Sequence, residues 1–196
     1  MDDSSLTEVP ISALDWRARG LAASDEQRQR IPGVLPGETA CVASVHPPRV
    51  RDILNPSPFR RPADCEQAEQ CPGCQLRHAV DEFTKPWKLE RVQRDLKYAG
   101  LAHPPLEWLG QAPRDGYRSR AVAHAVTDEY QTLRLGMRSE NGAIDLGRCP
   151  VQTMACRTLI SKLERSLNEL KLRPYDPETR TGELRHVVVE GPVEAG

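Results

Sequence analysis

Apolar and aromatic residues are scarce in this chain. Aromatic residues make up 5% of its 196 residues, and hydrophobic residues of all kinds make up 38%. The hydrophobic core must therefore be modest, and 17 prolines favour many turns over long regular elements. The length allows one ordinary domain or two small ones.

Long apolar runs and targeting signals are also absent from the sequence. No stretch approaches the roughly 20 apolar residues of a membrane-spanning helix. The first eight residues, MDDSSLTE, lack the basic and apolar segments of a signal peptide. We therefore expect a cytoplasmic protein with no membrane partner, in which thiols stay reduced and disulfides are disfavoured.

An excess of positive charge is missing as well, because the formal net charge is −1. This excludes a polycation that binds any nucleic acid through its bulk charge. Charge is nevertheless uneven along the chain. Residues 1–40 carry four Lys/Arg against seven Asp/Glu, residues 83–148 carry eleven against eight, and residues 49–61 carry four arginines against one aspartate. Any RNA-binding surface must therefore be local.

Four of the six cysteines form a pattern that is typical of a metal site. Cys65, Cys71 and Cys74 lie in the run CEQAEQCPGC, and Cys149 follows after 74 intervening residues, next to a proline. Thiolates are soft ligands, and four of them suit either zinc or an iron–sulfur cluster. The tight CPGC turn, whose backbone N–H groups can point at sulfur, fits both metals. The spacing thus predicts a structural centre that joins two distant segments and favours an iron–sulfur cluster, with zinc and no metal as the open alternatives.

The remaining cysteines and two histidines have simpler interpretations. Cys41 lies in the apolar run TACVASV, and Cys156 lies four residues before Ile160 on the apolar face of a predicted helix. We expect both to be small buried thiols. His78 and His124 are expected to be packing or surface residues.

The order of predicted elements indicates an α+β protein in two parts. We predict a small β-barrel over residues 7–55 and an α+β domain with an antiparallel sheet over residues 56–190. The predicted elements are a small β unit over 7–46, a proline-rich connector over 47–62, a helix over 84–99, a three-stranded meander over 117–147, a second helix over 151–172 and a strand over 183–190.

Both predicted helices carry a start signal or an apolar stripe. Thr84 is the predicted cap of the first helix, and its apolar face is Leu89, Val92 and Leu96. The core-facing residues predicted in the second helix are Ile160, Leu163, Leu167 and Leu170. Between the helices, Asn141-Gly142 predicts a hairpin turn within the meander.

Several short phrases follow one another along the chain in a recognisable order. They are GVLPGE at 33–38, NPSPFR at 55–60, the cysteine run with QLRH at 65–78, YRSRA at 117–121, LGMR at 135–138 and the Cys-Pro at 149–150. In this order they resemble the RNA uridine-C5 methyltransferases that carry an iron–sulfur cluster, those acting on 23S ribosomal RNA and their relatives. The resemblance covers about residues 7 to 190.

The resemblance implies a fold, a cofactor and a partner. The barrel at 7–55 would be an OB-like TRAM domain. A [4Fe–4S] cluster would be held by Cys65, Cys71, Cys74 and Cys149. The partner would be RNA, ribosomal or transfer, and the family's lysine after the cysteine phrase falls on Lys88. One departure is Pro72, which replaces the first glycine of the family's CGGC turn.

The catalytic part of such enzymes is not recognisable in these 196 residues. In the family, a C-terminal Rossmann-like domain binds S-adenosylmethionine and supplies the cysteine that attacks uridine C6. The chain has no glycine-rich strand–turn–helix loop followed by an acid, and HPPR at 46–49 is predicted to be a turn. We therefore expect no catalytic residue here, with S-adenosylmethionine bound only in a full-length parent through a separate or missing methyltransferase domain.

The sequence leaves two other functional classes open. One is a stand-alone RNA-binding module with a structural zinc ion. The other is a small iron–sulfur redox protein, although ferredoxins pack their ligands closely and need no RNA-type barrel.

A basic sheet face is the candidate RNA-binding surface. The predicted RNA-binding residues are Arg118, Arg120, Arg134, Arg138 and Lys88. The arginines lie at period-two positions on neighbouring predicted strands, where they would contact phosphates without reading sequence. The alternative is an ordinary solvated sheet surface. Tyr117, Trp87 and Trp108 could stack on unpaired bases or belong to the core.

Overall fold

The structure is a computed structural model that describes residues 6–22, 29–43, 48–111, 113–128, 130–139 and 142–191. The chain forms two compact units. The first unit comprises residues 1–64 and 74–109, and the second comprises residues 65–73 and 110–196. The chain therefore passes between the units three times. The domain limits expected from the sequence, 7–55 and 56–190, stay predictions.

Five short strands of the first unit form one antiparallel sheet that curls into a half-barrel. They are β1 (Leu6–Leu14), β2 (Gly20–Ala22), β3 (Arg30–Ile31), β4 (Thr39–Ala43) and β5 (Arg49–Ile53), in the sheet order β3-β2-β1-β4-β5. Alternation along β1 turns Val9 and Ile11 into the core, where they join Val42 of β4. The small curled β unit that the sequence predicted is thus confirmed.

Strand β5 corrects the prediction of a connector that begins at residue 47. It pairs with β4 across a register shift between Cys41 and Val42. Val50 and Ile53 pack against the core of the sheet, while Arg51 is exposed. Two apolar residues among polar neighbours and nearby prolines are too weak a pattern to distinguish from a loop. In the partner strand, Cys41 is half-buried and not the buried thiol that we expected.

Helix α1 of the first unit spans Asp81–Tyr98. The predicted helix is confirmed, but Thr84 is not its cap: it lies inside the helix and is buried, and Val80 occupies the N-cap position without a side-chain hydrogen bond. An acidic first turn favours the helix start instead. Thr84 is the one buried residue of α1, and Val92 is 48% exposed, so the predicted apolar face is not buried.

Four strands of the second unit form another antiparallel sheet. They are β6 (Arg120–Thr127), β7 (Leu133–Ser139), β8 (Gly142–Asp145) and β9 (His186–Glu190), in the sheet order β8-β7-β6-β9. The predicted meander and the final strand are confirmed, and β9 pairs with β6.

Helix α2 (Met154–Glu169) covers one face of this sheet. Thr153 caps it by accepting a hydrogen bond from the Cys156 backbone N–H at 3.3 Å. Ile160 and the thiol of Cys156 are buried in the core, as predicted. Leu170 is 70% exposed at the C-cap, so its predicted core position is wrong.

Two polar side chains of α2 form hydrogen bonds with backbone groups of β7 at the residues that do not pair with β8. The Leu135 N–H donates to Glu164 Oε2 at 2.7 Å, and the Leu133 N–H donates to Asn168 Oδ1 at 3.0 Å. The Asn168 amide also donates to the Leu133 carbonyl at 2.9 Å. These bonds cover a stretch of strand edge that would otherwise be open to pairing with another chain.

Two predicted turns lie partly outside the described residues: 46–49 and Asn141-Gly142. The β7–β8 hairpin that the second one predicts is present. Among the described helices, neither has the length and apolar character needed to cross a bilayer.

Candidate metal centre and nucleic-acid interface

The cysteine loop at 65–73 is fastened to the second unit at two points. The Arg148 guanidinium forms an ion pair with Glu66. The Gln67 side-chain amide donates to the Asp145 carbonyl at 3.0 Å. Because Arg148 immediately precedes Cys149, these contacts bring the loop beside the remote cysteine.

The electrostatics of Cys71 show which thiols are neighbours. Burial raises the pKa of the Cys71 thiol, and the nearby Cys149 and Cys65 raise it further, because a second negative charge would be unfavourable there. The backbone N–H of Gly73 donates to Cys71 and opposes this rise. The prediction that the CPGC turn points a backbone N–H at sulfur is confirmed at this position.

Gly73 of the same turn is close to a methionine side chain. A Cβ atom on Gly73 would lie 3.2 Å from Met137 Cε and 3.4 Å from Cys71 Sγ. Both distances are tighter than most carbon contacts, so a larger residue would push on the methionine and the thiol. The glycine therefore allows Met137 of β7 to pack on the cysteine turn.

The segment just before β6 positions the remote cysteine through an isolated bridge between Arg118 and Gln152. The Gly116 N–H donates to the Pro150 carbonyl at 2.9 Å, and the Arg118 N–H donates to the Val151 carbonyl at 2.8 Å. Two phrases that are far apart in sequence, YRSRA and CPVQT, therefore run side by side. Cys149 sits at the start of the second phrase.

The metal ligand set is brought together in part. Cys65, Cys71 and Cys149 belong to the second unit, and Cys74 is the first residue of a segment of the first unit. In the described parts of the chain, no three Cys, His, Asp or Glu side chains converge closely enough to hold a metal ion. The donor chemistry fits a four-thiolate centre, and three of its members share one unit, but their sulfur atoms are not arranged as ligands.

Two motifs of the sequence resemblance meet inside the first unit. Glu38, from GVLPGE, has a side chain with 0% exposure and pairs with Arg60 of NPSPFR at 2.5 Å. The carboxylate also accepts the backbone N–H groups of Leu35 at 2.7 Å and Ser57 at 3.0 Å. Burial raises the pKa of Glu38, but these bonds outweigh it and hold that pKa below its ordinary value. No sequence pattern predicted this pairing.

His78 lies close to the same ion pair. Burial lowers the pKa of His78, the Arg60 charge lowers it further, and a hydrogen bond with the Val34 backbone opposes both effects. A neutral, packed histidine is therefore favoured. This agrees with the packing role expected from the sequence.

The four candidate arginines of the second unit differ in their surroundings. Arg118, Arg120, Arg134 and Arg138 are all exposed. Arg120 lies 3.7 Å from Glu190. Arg134 is held by two carboxylates, Asp128 at 2.8 Å and Glu164 at 3.1 Å, and both raise its pKa. The positive charge of Arg134 is thus largely offset, while Arg118 and Arg138 keep theirs on the surface.

Aromatic residues of the first unit are paired with cations. Trp108 is 39% exposed, and the ammonium group of Lys88 lies 5.8 Å from its ring centroid. Trp16 is 57% exposed, with the Arg17 guanidinium 4.4 Å from its centroid. The exposure of Trp16 was not predicted from the sequence, although its position beside Arg17 was a usable signal. Tyr117 of the second unit is 50% exposed.

Comparison with known proteins shows what the chain is similar to. No family model matches this chain. An uncharacterized RNA methyltransferase of Parasynechococcus marenigrum is 31% identical over 189 residues, which is 92% of this chain. Another, from Halalkalibacterium halodurans, is 31% identical over 198 residues, or 96% of this chain. The chain is therefore similar to RNA methyltransferases along nearly its whole length.

One relative has a name that states its activity. The 23S rRNA (uracil(1939)-C(5))-methyltransferase RlmD of Halomonas elongata is 30% identical over 174 residues, or 84% of this chain. The chain spans 41% of the length of the Parasynechococcus protein and 36% of the Halomonas protein. The similarity thus concerns well under half of each relative.

Proposed function

We propose that this chain is the RNA-recognising portion of an S-adenosylmethionine-dependent RNA uridine-C5 methyltransferase. The observation that carries the proposal is the similarity over 84% of the chain to a protein named as a 23S rRNA uracil-C5 methyltransferase. The substrate class is ribosomal or transfer RNA. Methyl transfer would need the S-adenosylmethionine-binding part of such an enzyme, to which these residues contribute no recognised catalytic group.

The half-barrel of the first unit is the proposed TRAM-like element. Its support is the small curled antiparallel sheet and the ion pair between Glu38 and Arg60, which ties the GVLPGE phrase to the NPSPFR connector. In the second unit, the exposed arginines at 118, 120 and 138 are the proposed phosphate contacts.

A [4Fe–4S] cluster is the proposed resident cofactor, with Cys65, Cys71, Cys74 and Cys149 as its ligands. The support is the all-thiol donor set and the electrostatic proximity of Cys71 to Cys65 and Cys149. Once bound, the cluster would cross-link the cysteine loop to the Cys149 segment.

The cofactor is tested by anaerobic purification, metal analysis and a visible spectrum. We expect about four irons per chain for a [4Fe–4S] centre. Cys149→Ser should lose most of the iron, whereas Cys41→Ser, a half-buried cysteine of the first unit, should keep it. Stoichiometric zinc without iron would refute the iron–sulfur cluster and support the alternative of a structural zinc ion.

RNA recognition is tested with in vitro transcribed 23S rRNA. Binding should weaken as salt rises, and Arg118→Glu combined with Arg120→Glu should weaken it further. The matched control is Lys162→Glu combined with Arg165→Glu, which reverses two exposed charges on α2. If the two double variants bind 23S rRNA with equal affinity, the proposal that Arg118 and Arg120 contact its phosphates is wrong. Failure of the unmodified chain to bind RNA would overturn the function.

The proposal that methyl transfer needs another part of the enzyme is tested by calorimetry and a radiolabelled methyl-transfer assay. The 196-residue chain should neither bind S-adenosylmethionine nor label uridine, because it has no recognised cofactor loop or C6-attacking cysteine. As a positive control, the methyltransferase region of a relative is added as a separate chain, and labelled uridine is then expected. Saturable binding by the 196 residues alone would contradict the assignment.

A further inference from the structure

The first unit carries exposed tryptophans that are each accompanied by two cations. The Trp16 ring has the Arg17 guanidinium 4.4 Å and the Arg91 guanidinium 5.7 Å from its centroid. The Trp108 ring has the ammonium groups of Lys88 at 5.8 Å and Lys85 at 5.9 Å. Three of these four cations come from successive turns of α1. The helix therefore has one tryptophan beside Lys85 and Lys88 and another beside Arg91.

Trp16 is presented by an ordered turn between β1 and β2. Asp15 Oδ1 accepts the backbone N–H groups of Arg17 at 2.8 Å and Arg19 at 2.9 Å, and the same carboxylate pairs with the Arg19 side chain at 2.7 Å. Ala18 adopts a positive φ of 56°, as a tight turn of this kind requires. The backbone that carries Trp16 is therefore ordered by the hydrogen bonds of Asp15.

Helix α1 itself is built as a surface element. Thr84 is its one buried residue, and its predicted apolar face is not buried. A helix of this kind contributes little to a core and is free to serve a contact surface. Lys85 and Arg91 have carboxylates of the same helix nearby, at 3.4 Å and 3.8 Å. Within the described part of the chain, Lys88 and Arg17 form no ion pair, so their charges remain available.

We propose that Trp16, Arg17, Lys88, Arg91 and Trp108 form a tryptophan–cation strip that binds single-stranded RNA. The inference rests on the RNA-recognition role proposed above and assigns part of that role to the first unit. Exposed rings accept unpaired bases by stacking, and the adjacent cations bind the phosphates between them. A surface cation–π contact is weak, so the cation can leave the ring for a phosphate while a base takes its place.

The strip is tested with a fluorescein-labelled 12-nucleotide oligouridylate and a 12-base-pair RNA duplex as the comparison. Trp16, Trp87 and Trp108 all lie in the first unit, so stacking should quench tryptophan fluorescence directly. Trp16→Ala and Trp108→Ala should each weaken oligouridylate binding about fivefold or more, as expected for the loss of one stacking side chain. Trp16→Tyr should retain most of the affinity, and Tyr130→Ala, which removes an aromatic ring that is 77% exposed in the second unit, should change nothing.

Salt dependence provides a second readout for the cations. Lys88→Gln should reduce the slope of log affinity against log salt by about 0.7, the value for one phosphate on a single strand. Lys162→Gln on α2 is the matched control and should leave the slope unchanged. Melting curves of each variant exclude loss of folding as the cause.

The outcomes separate this inference from the proposed function. If the unmodified chain binds RNA but both tryptophan variants bind oligouridylate as it does, the strip is wrong and RNA recognition stands. Preference for the duplex over the single strand, without quenching, also overturns the strip. If the chain binds neither these RNAs nor 23S rRNA, both proposals fall.

Discussion

Removal of the buried charge at Glu38 should strongly lower the stability of the first unit against unfolding. In Glu38→Gln, an amide replaces a carboxylate that has 0% exposure and accepts hydrogen bonds from Arg60, Leu35 and Ser57. The amide N–H₂ group would face N–H donors, and Arg60 would lose its counter-charge. Breaking such a pair costs about 3–5 kcal/mol. Because the Arg60 side chain keeps 22% exposure and water can reach it, we expect the lower end, about 3 kcal/mol.

The assay is thermal unfolding followed by tryptophan fluorescence, which reports on the first unit alone because all three tryptophans lie there. A loss of about 3 kcal/mol lowers the melting temperature of a domain of this size by about 12–24 °C. Glu8→Gln is the control, because Glu8 is an exposed carboxylate on β1 of the same sheet. It should shift the melting temperature little, since exposed substitutions usually stay within about 0.5 kcal/mol.

The pH dependence gives the same prediction an independent check. The pKa of Glu38 in the folded chain lies below its ordinary value of 4.5. Its carboxylate therefore stabilises the fold fully above that value, and the contribution is lost as pH falls through the folded pKa. The difference between the unmodified chain and Glu38→Gln should thus be constant near pH 7 and should narrow below pH 4.5. Equal melting temperatures for Glu38→Gln and Glu8→Gln, or a gap that widens in acid, would refute the reasoning.

Two further predictions concern the second unit, and hydrogen exchange of its amides measures both. Gly136→Ala should destabilise the sheet by about 3 kcal/mol, at the upper end for overpacking, because the new Cβ would lie 2.2 Å from the Ile144 backbone oxygen. Gly191→Ala, whose Cβ meets ordinary contacts at 3.6 Å, should be tolerated, and equal protection in the two variants would contradict the steric argument. Thr153→Ala should cost about 1 kcal/mol through loss of the α2 cap, whereas Thr158→Ala, on the exposed side of α2, should not change protection at the helix start.

The elements that the sequence predicted well are those with a strong local pattern. Alternation at Val9 and Ile11 and the apolar stripe that includes Ile160 describe residues that are buried in the structure. The α1 cap was misassigned because Thr84 is a good cap type, while the helix begins three residues earlier behind Val80, which gives no cap signal. Leu170 was misplaced because periodicity cannot show that the helix ends before the stripe does.

The candidate site was predictable only where its residues are close in sequence. The CPGC turn and its N–H contact to Cys71 follow from local geometry. The meeting of Glu38 with Arg60 joins two loop residues that are 22 positions apart in the chain, and no local pattern contains that information. Likewise, the exposure of Trp16 depends on the turn that Asp15 organises, which the surrounding strand-like alternation concealed.

The cysteine loop belongs to one unit while the chain on either side of it belongs to the other. During synthesis, residues 65–73 emerge well before the sheet that receives them, and Cys149 follows Gly73 by 76 residues. At about 5–20 residues per second, the loop waits for about 4–15 s with its thiols unprotected. Neither unit can be excised as one continuous fragment without cutting the other. Assembly of the proposed cluster would therefore require the early thiols to stay reduced until Cys149 has been synthesised.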